Sequence, residues 1–299
     1  MATLAGVRGA PPPVVHVRDI LPSGAVAALA RRALDRRAAV NVAVSAYAAR
    51  GFGRSRTSSP VVLIPNAVDL SRFDANKVTK QAARAALGWS QSDLILGMVA
   101  QITPWKAQED AIQILSLLSN AVPRARLVLV GEAKFVAVST RYDNLAYERR
   151  LHRLIDGLDL RDRILLLGER SDVPELLRGL DFLLVPSWSE PFGRSVIEAM
   201  AMGTPVVATD VGGPAEIIED GLTGTLLPPR RPEAWAHALR RLVGDGQATQ
   251  QMCAAARAKV QEHYGAKAHA ASMVSLYRQL LAGEAASDAS ERGLEALKR

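Results

Sequence analysis

Short apolar runs, each closed by a glycine, a proline or a turn and each followed by a helical pattern, recur along most of this chain. Residues 94–100, 126–130 before Gly131, 164–167 before Gly168, 182–185 before Pro186, and 206–209 are such runs. A short run that is apolar on both faces reads as a strand covered on both sides, the situation inside a parallel sheet. Glycine turns sharply and proline brings no N–H to a ladder, so both end strands. Helical patterns fall between the runs, at 79–87, 108–119, 146–158, 173–179 and about 193–202. The alternation predicts an α/β fold, a doubly wound parallel sheet. Ligands of such sheets bind outside the carboxyl ends of the strands.

The flanking regions read less regularly. Residues 11–19 suggest a short strand breaking into a loop, 29–38 a helix, 40–44 a strand, Ser45 the cap of a brief helix, 51–59 a loop and 61–64 a strand. Pro65-Asn66-Ala67-Val68-Asp69 is a turn cluster and the expected hinge. Loops are expected at 101–106 and 134–144, a last strand at 221–227, and helices at 234–243, 249–262 and 268–281. The expected division is a partial α/β domain over 1–69, a larger domain over 70–282 and a polar tail over 283–299.

Charge separates these pieces. The net charge is +7, and residues 1–60 hold nine arginines against Asp19 and Asp35, so the remaining acidic and basic residues cancel. A basic piece on a neutral body suits an anionic partner or membrane surface; the competing reading is a solvated arginine-rich helix. Few aromatics interleave with the arginines, which disfavours nucleic acid. Hydrophobic content of 48% and charged content of 22% are those of a soluble globular chain. No apolar run reaches the ~18 residues of a membrane helix, and Met1 to Arg8 lack a secretory pattern. A single cysteine, Cys253, excludes an internal disulfide and any multi-cysteine metal site. A cytoplasmic setting follows, with the basic end peripheral at a membrane as one option.

The stretch from Asp181 to Asp210 carries the candidate site. It reads as strand, loop, helix and strand, with Glu190 in the loop and Glu198 inside an otherwise apolar helix. A helix apolar on nearly all sides is buried, and an ionised glutamate there needs a partner. The N–H groups of Phe192, Gly193, Arg194 and Ser195 are free at the helix start, which makes an anion site. On this reading Glu190 guards the mouth and Glu198 lies deeper, with a phosphate-sized hole between them. The plain alternative pairs Glu198 with a core arginine and leaves Glu190 solvated. Lys106, in a loop just before a helix, suits a diphosphate, although alone it is a surface lysine. The dinucleotide and P-loop glycine fingerprints are absent, as are zinc and Ser-His-Asp patterns.

Glu190 and Glu198 are separated by seven residues, with Pro191-Phe192-Gly193 after the first and Gly203-Thr204-Pro205 after the second. This resembles the E-x7-E block of retaining GT-B glycosyltransferases, glycosyltransferase family 4 (group 1). Supporting blocks stand in that family's order: Pro65-Asn66 with Val68-Asp69, Lys106, Gly131, Gly168 with Asp172-Val173-Pro174, Asp181 with Pro186-Ser187, Gly212-Gly213 with Glu216, and Asp220-Gly221 with Thr223-Gly224. The match covers about residues 60–280.

The resemblance implies transfer of a sugar, with retention, from a UDP- or GDP-linked donor to an acceptor, with no metal and no cofactor. Glu198 then binds ribose hydroxyls, Glu190 acts at the donor sugar, and the amides of Phe192, Gly193, Arg194 and Ser195 hold sugar and phosphate. Lys106 and Gln101 face the diphosphate, Arg170 borders the base, and His16 stands near the transferred sugar unless it is an ordinary loop histidine. Ala100-Gln101 and Ala107 depart from the family's Gly-Arg and post-lysine glycine. Gln101 is neutral, and an amide binds phosphate without neutralising it. The residues before the hinge are fewer than an acceptor domain needs, so a partner chain supplying it is an expected partner. Other readings are a donor-nucleotide module inactive alone, an epimerase and a phosphorylase. A phosphorylated or membrane-associated acceptor is the one the arginines favour.

Overall fold

The computed structural model describes residues 12–20, 24–50, 52, 59–134 and 142–283. Residue 11, most of the expected loops at 51–59 and 134–144, and all but the first residue of the expected tail lie outside the described residues. The chain divides into two compact units, residues 1–65 with 269–299 and residues 66–268.

The smaller unit begins β1 (Val14–Val17), α1 (Ala25–Arg37), β2 (Val40–Ala43) and β3 (Val61–Leu63). The strands are parallel in the order β1-β2-β3, with Val14 opposite Val40 and Asn41 opposite Val61. Val40, Val42, Val62 and Ile64 form a core with Leu276, Met273 and Leu280 from the last described helix, Ala266–Leu281. That helix was expected in the larger domain. It groups mostly with residues 1–65 because its apolar face covers their sheet; burying one side chain such as Leu276 contributes about 1.5–3 kcal/mol. The brief helix expected after Ser45 is a turn instead. The Ala48 N–H donates to Ser45 Oγ at 2.9 Å, and one helical bond, Ala49 N–H to Ser45 C=O, is made before the chain turns away.

The larger unit runs α2 (Lys80–Ala86), β4 (Leu94–Val99), α3 (Gln108–Ser119), β5 (Ala125–Val130), α4 (Asn144–Gly157), β6 (Ile164–Leu166), α5 (Val173–Gly179), β7 (Phe182–Val185), α6 (Arg194–Ala201), β8 (Val206–Thr209), α7 (Gly213–Ile217), β9 (Thr225–Leu227), α8 (Pro232–Gly244) and α9 (Gly246–His263), before α10 (Ala266–Leu281). The six strands are parallel in the order β6-β5-β4-β7-β8-β9, the doubly wound sheet that the alternation predicts. Leu96, Leu127, Leu129, Phe182 and Leu184 pack in one core with Ile112 and Leu115 of α3 and Trp235 and Leu239 of α8. The winding reverses between β4 and β7. A crevice opens at such a switch point, outside the carboxyl ends of the two strands.

Candidate active site

The loops after β4 and β7 carry Lys106 and Glu190 to this switch point. Lys106 closes a 3-10 turn over Pro104–Lys106, directly before α3. Its Nζ lies 2.5 Å from Glu190 Oε2 and 4.2 Å from the centre of the Trp105 ring. Ser187 Oγ donates to the same Glu190 oxygen at 3.1 Å. Glu190 is 5% exposed, whereas Glu198 is only half-buried. Both carboxylate side chains are nonetheless largely enclosed, at 7% and 12% exposure. Glu190 is drawn inward because its carbonyl accepts the Gly213 N–H at 2.8 Å and its carboxylate has Lys106 and Ser187.

Glu198 lies on the rim of α6. Arg194, one turn earlier, donates to Glu198 Oε1 at 3.2 Å. Burial pushes the Glu198 carboxyl above its ordinary value, and Arg194 and Arg72 oppose the shift. Arg72, missed in the sequence, also donates to the Ser171 carbonyl at 2.7 Å, so it ties the turn after Asp69 to the loop after β6. Its signal was its place three residues after the Pro65–Asp69 block.

Between the glutamates, α6 starts as expected. Gly193 caps it with φ 96, a left-handed conformation that suits glycine. The Val196 N–H turns back to the Gly193 carbonyl; among the described residues no bond from the Arg194 or Ser195 N–H was found. Phe192 is buried, with its ring 6.2 Å from that of Tyr264. Gly213 packs so tightly that a Cβ there would stand 2.2 Å from the Phe192 carbonyl oxygen. A side chain at 213 would push the amide-bearing loop out of place.

The remaining candidates spread along the same edge and beyond it. Gln101 follows β4; its Nε2 donates to the Lys134 carbonyl at 3.2 Å, and its own carbonyl accepts from Gln108 Nε2 at 2.8 Å. Arg170 is exposed and forks onto Asp172, with Nε–Oδ1 of 2.8 Å and Nη2–Oδ2 of 2.6 Å. His16 belongs to β1 of the smaller unit, where it is exposed; burial, Arg18 and His269 hold its pKa below the ordinary imidazole value. Ala107 adopts φ 61, ψ 44 while fully buried, which explains why a glycine suits the position after the lysine. Among the described residues no three His, Cys, Asp or Glu side chains group as metal ligands, and no helix is long and apolar enough to cross a membrane.

The family model described as glycosyl transferases group 1 matches residues 79–259. The chain belongs to this family. D-inositol 3-phosphate glycosyltransferase of Mycobacterium tuberculosis H37Rv is 32% identical over 241 residues, 77% of this chain and 46% of the relative. The chain thus spans about half the length of the curated relatives it matches. The crystal structure of HepE from Anabaena in complex with UDP superposes with a TM-score of 0.80 and 27% identity over 90% of this chain and 72% of that one. Sucrose-phosphate synthase from Thermosynechococcus elongatus gives 0.73 and 28% over 87% and 62%. The fold is of the GT-B type expected from the group 1 blocks.

Proposed function

We propose that this chain forms the donor-handling part of a glycosyltransferase that moves a sugar from a nucleoside-diphosphate sugar to an acceptor, with retention and without a metal ion, as members of glycosyltransferase family 4 are expected to do. One observation carries the reading: a lysine and a glutamate from adjacent strands meet at the switch point, beside a helix tip with free amides. The diphosphate seats on the Arg194 and Ser195 N–H groups and on Lys106, which neutralises charge as the bond from the sugar C1 to the diphosphate oxygen breaks. The acceptor hydroxyl attacks C1 from the same face, and its proton passes to the departing phosphate oxygen. Glu190 holds donor hydroxyls and the developing positive charge; Glu198 takes the ribose. In the free protein Lys106 and Glu190 neutralise each other, so a bound diphosphate takes over the lysine and releases the carboxylate to the sugar.

UDP is the first nucleotide to try, because structures of HepE hold UDP and UDP-glucose. The acceptor is taken to be phosphorylated or membrane-associated. The arginines of α1 support this, as does a relative named for D-inositol 3-phosphate. Calorimetry with UDP, GDP and ADP tests the seat, and sugar release from the matching nucleotide sugar, with and without EDTA, tests the reaction. Binding without turnover in the presence of acceptors and of a partner acceptor domain reduces the chain to a nucleotide module; no binding of any of the three overturns the reading.

A further inference from the structure

Besides the Lys106–Glu190 pair, two bonds tie the loop after β7 to the loop after β4 and to the start of α3, and both come from Trp188. Its backbone N–H donates to the Trp105 carbonyl at 2.9 Å, and its indole Nε1–H donates to Asp110 Oδ2 at 3.0 Å. Trp105 immediately precedes Lys106, and Trp188 stands two residues before Glu190. The Lys106–Glu190 pair alone would leave a pivot between the loops; the two Trp188 bonds remove it. Asp110 is 8% exposed, in the first turn of α3. A buried carboxylate is costly to desolvate, and burial does raise its pKa, with the Trp188 bond working against the shift. The helix dipole favours its charge at that place. From a third loop, after β9, the Arg230 guanidinium lies 4.1 Å over the Trp188 ring. The indole is thereby held by its edge and by its face.

We propose that Trp188, clasped by Asp110 and covered by Arg230, is a positioning residue that sets the separation of Lys106 and Glu190 in the donor seat. The proposal rests on the roles given to those two residues above. Trp188 acts through them, so its loss lowers turnover more than nucleotide affinity, since the amide tip and Glu198 are left in place. A misplacement on the scale of an ångström costs up to about a hundredfold in rate.

The clasp is read first by NMR of the 15N-labelled chain, whose four tryptophans give four indole N–H peaks. Trp188→Phe removes and so identifies one peak, and Asp110→Asn, which takes the charge from its acceptor, must shift that peak. Kinetics follow with the nucleotide sugar that the wild type uses. Trp188→Phe is expected to lower kcat of sugar release about tenfold to a hundredfold, with Kd for the matching nucleoside diphosphate little changed. It also takes one donor from buried Asp110 and leaves it the Arg230 backbone N–H, so the melting temperature falls. Adding Asp110→Asn to Trp188→Phe removes the buried charge that has lost a donor and recovers part of the stability, while turnover stays low. Recovery of turnover together with stability shows packing alone and overturns the proposal. An unshifted indole peak in a nucleotide-binding wild type defeats the clasp and leaves the donor reading standing; a wild type that binds no nucleotide defeats the donor reading and the proposal with it.

Discussion

The two edges of the six-stranded sheet both carry acids facing bases, yet they are built differently. At the amino edge, Asp181 receives Lys80 Nζ at 2.6 Å, Arg84 Nη2 at 2.5 Å and the Ile95 N–H at 2.6 Å. Arg84, 3% exposed, also donates to the carbonyls of Gly179, Gln91 and Asp93. Nearly every polar hydrogen there has a protein partner, and buried charge is stable only on that condition. At the carboxyl edge the pairs are lean: Lys106 has Glu190, and exposed Arg194 has Glu198 at 3.2 Å. A saturated cluster locks a sheet edge. A lean one can exchange partners when an anion or a hydroxyl arrives.

Changes at the two edges should therefore read out in different assays. The largest expected effect is on catalysis: Lys106→Met should lower sugar release about 10²–10³-fold while costing only about 1–2 kcal/mol in urea denaturation. A stability loss as large as that at Asp181 would break the contrast. Asp181→Ala leaves Arg84 buried without its carboxylate, and about 3 kcal/mol of unfolding free energy should go with it; nucleotide affinity of the folded fraction, measured by calorimetry, should stay near wild type.

Glu198→Gln should weaken nucleotide binding about tenfold, the scale of one charge-assisted bond, and remove a pH dependence. Burial raises the folded pKa of Glu198 above its ordinary value, so between its unfolded and folded values the native state holds the extra proton. This group's contribution to stability then falls as pH rises through that window. In the proposed role it is the ionised form that accepts the ribose hydroxyls, so wild-type affinity should fall as pH drops through the raised value. Titrations of both proteins across acidic pH check this, and an unchanged profile in the variant would break the assignment. The smallest effect is expected at Ala107, whose left-handed backbone costs about 1 kcal/mol. Ala107→Gly relieves it at the expense of unfolded-chain entropy, and thermal melts should show a gain of about 0.5 kcal/mol.

Much of the fold was legible before any coordinates. The strands 94–99, 125–130, 182–185 and 206–209 were evident because a strand covered on both faces must be apolar throughout, and glycine or proline marks where it stops. The start of α6 was legible for a similar local reason, since Gly193 supplies the left-handed cap. Less was legible where partners are distant in sequence. The turn after Ser45 looked like a helix because one cap is a local signal, while its continuation depends on packing.

Residue types alone led to the expectation of a phosphate-sized anion site between Glu190 and Glu198 with Lys106 as a cation for it, because chemistry of that kind needs particular functional groups at particular spacings. That Lys106 and Glu190 meet, and that Trp188 reaches Asp110, were decided only by the winding of the sheet. Strands β4 and β7 are neighbours in space although 82 residues separate their ends, Val99 and Phe182; a contact across such an interval leaves no periodicity in the chain for a reader to find.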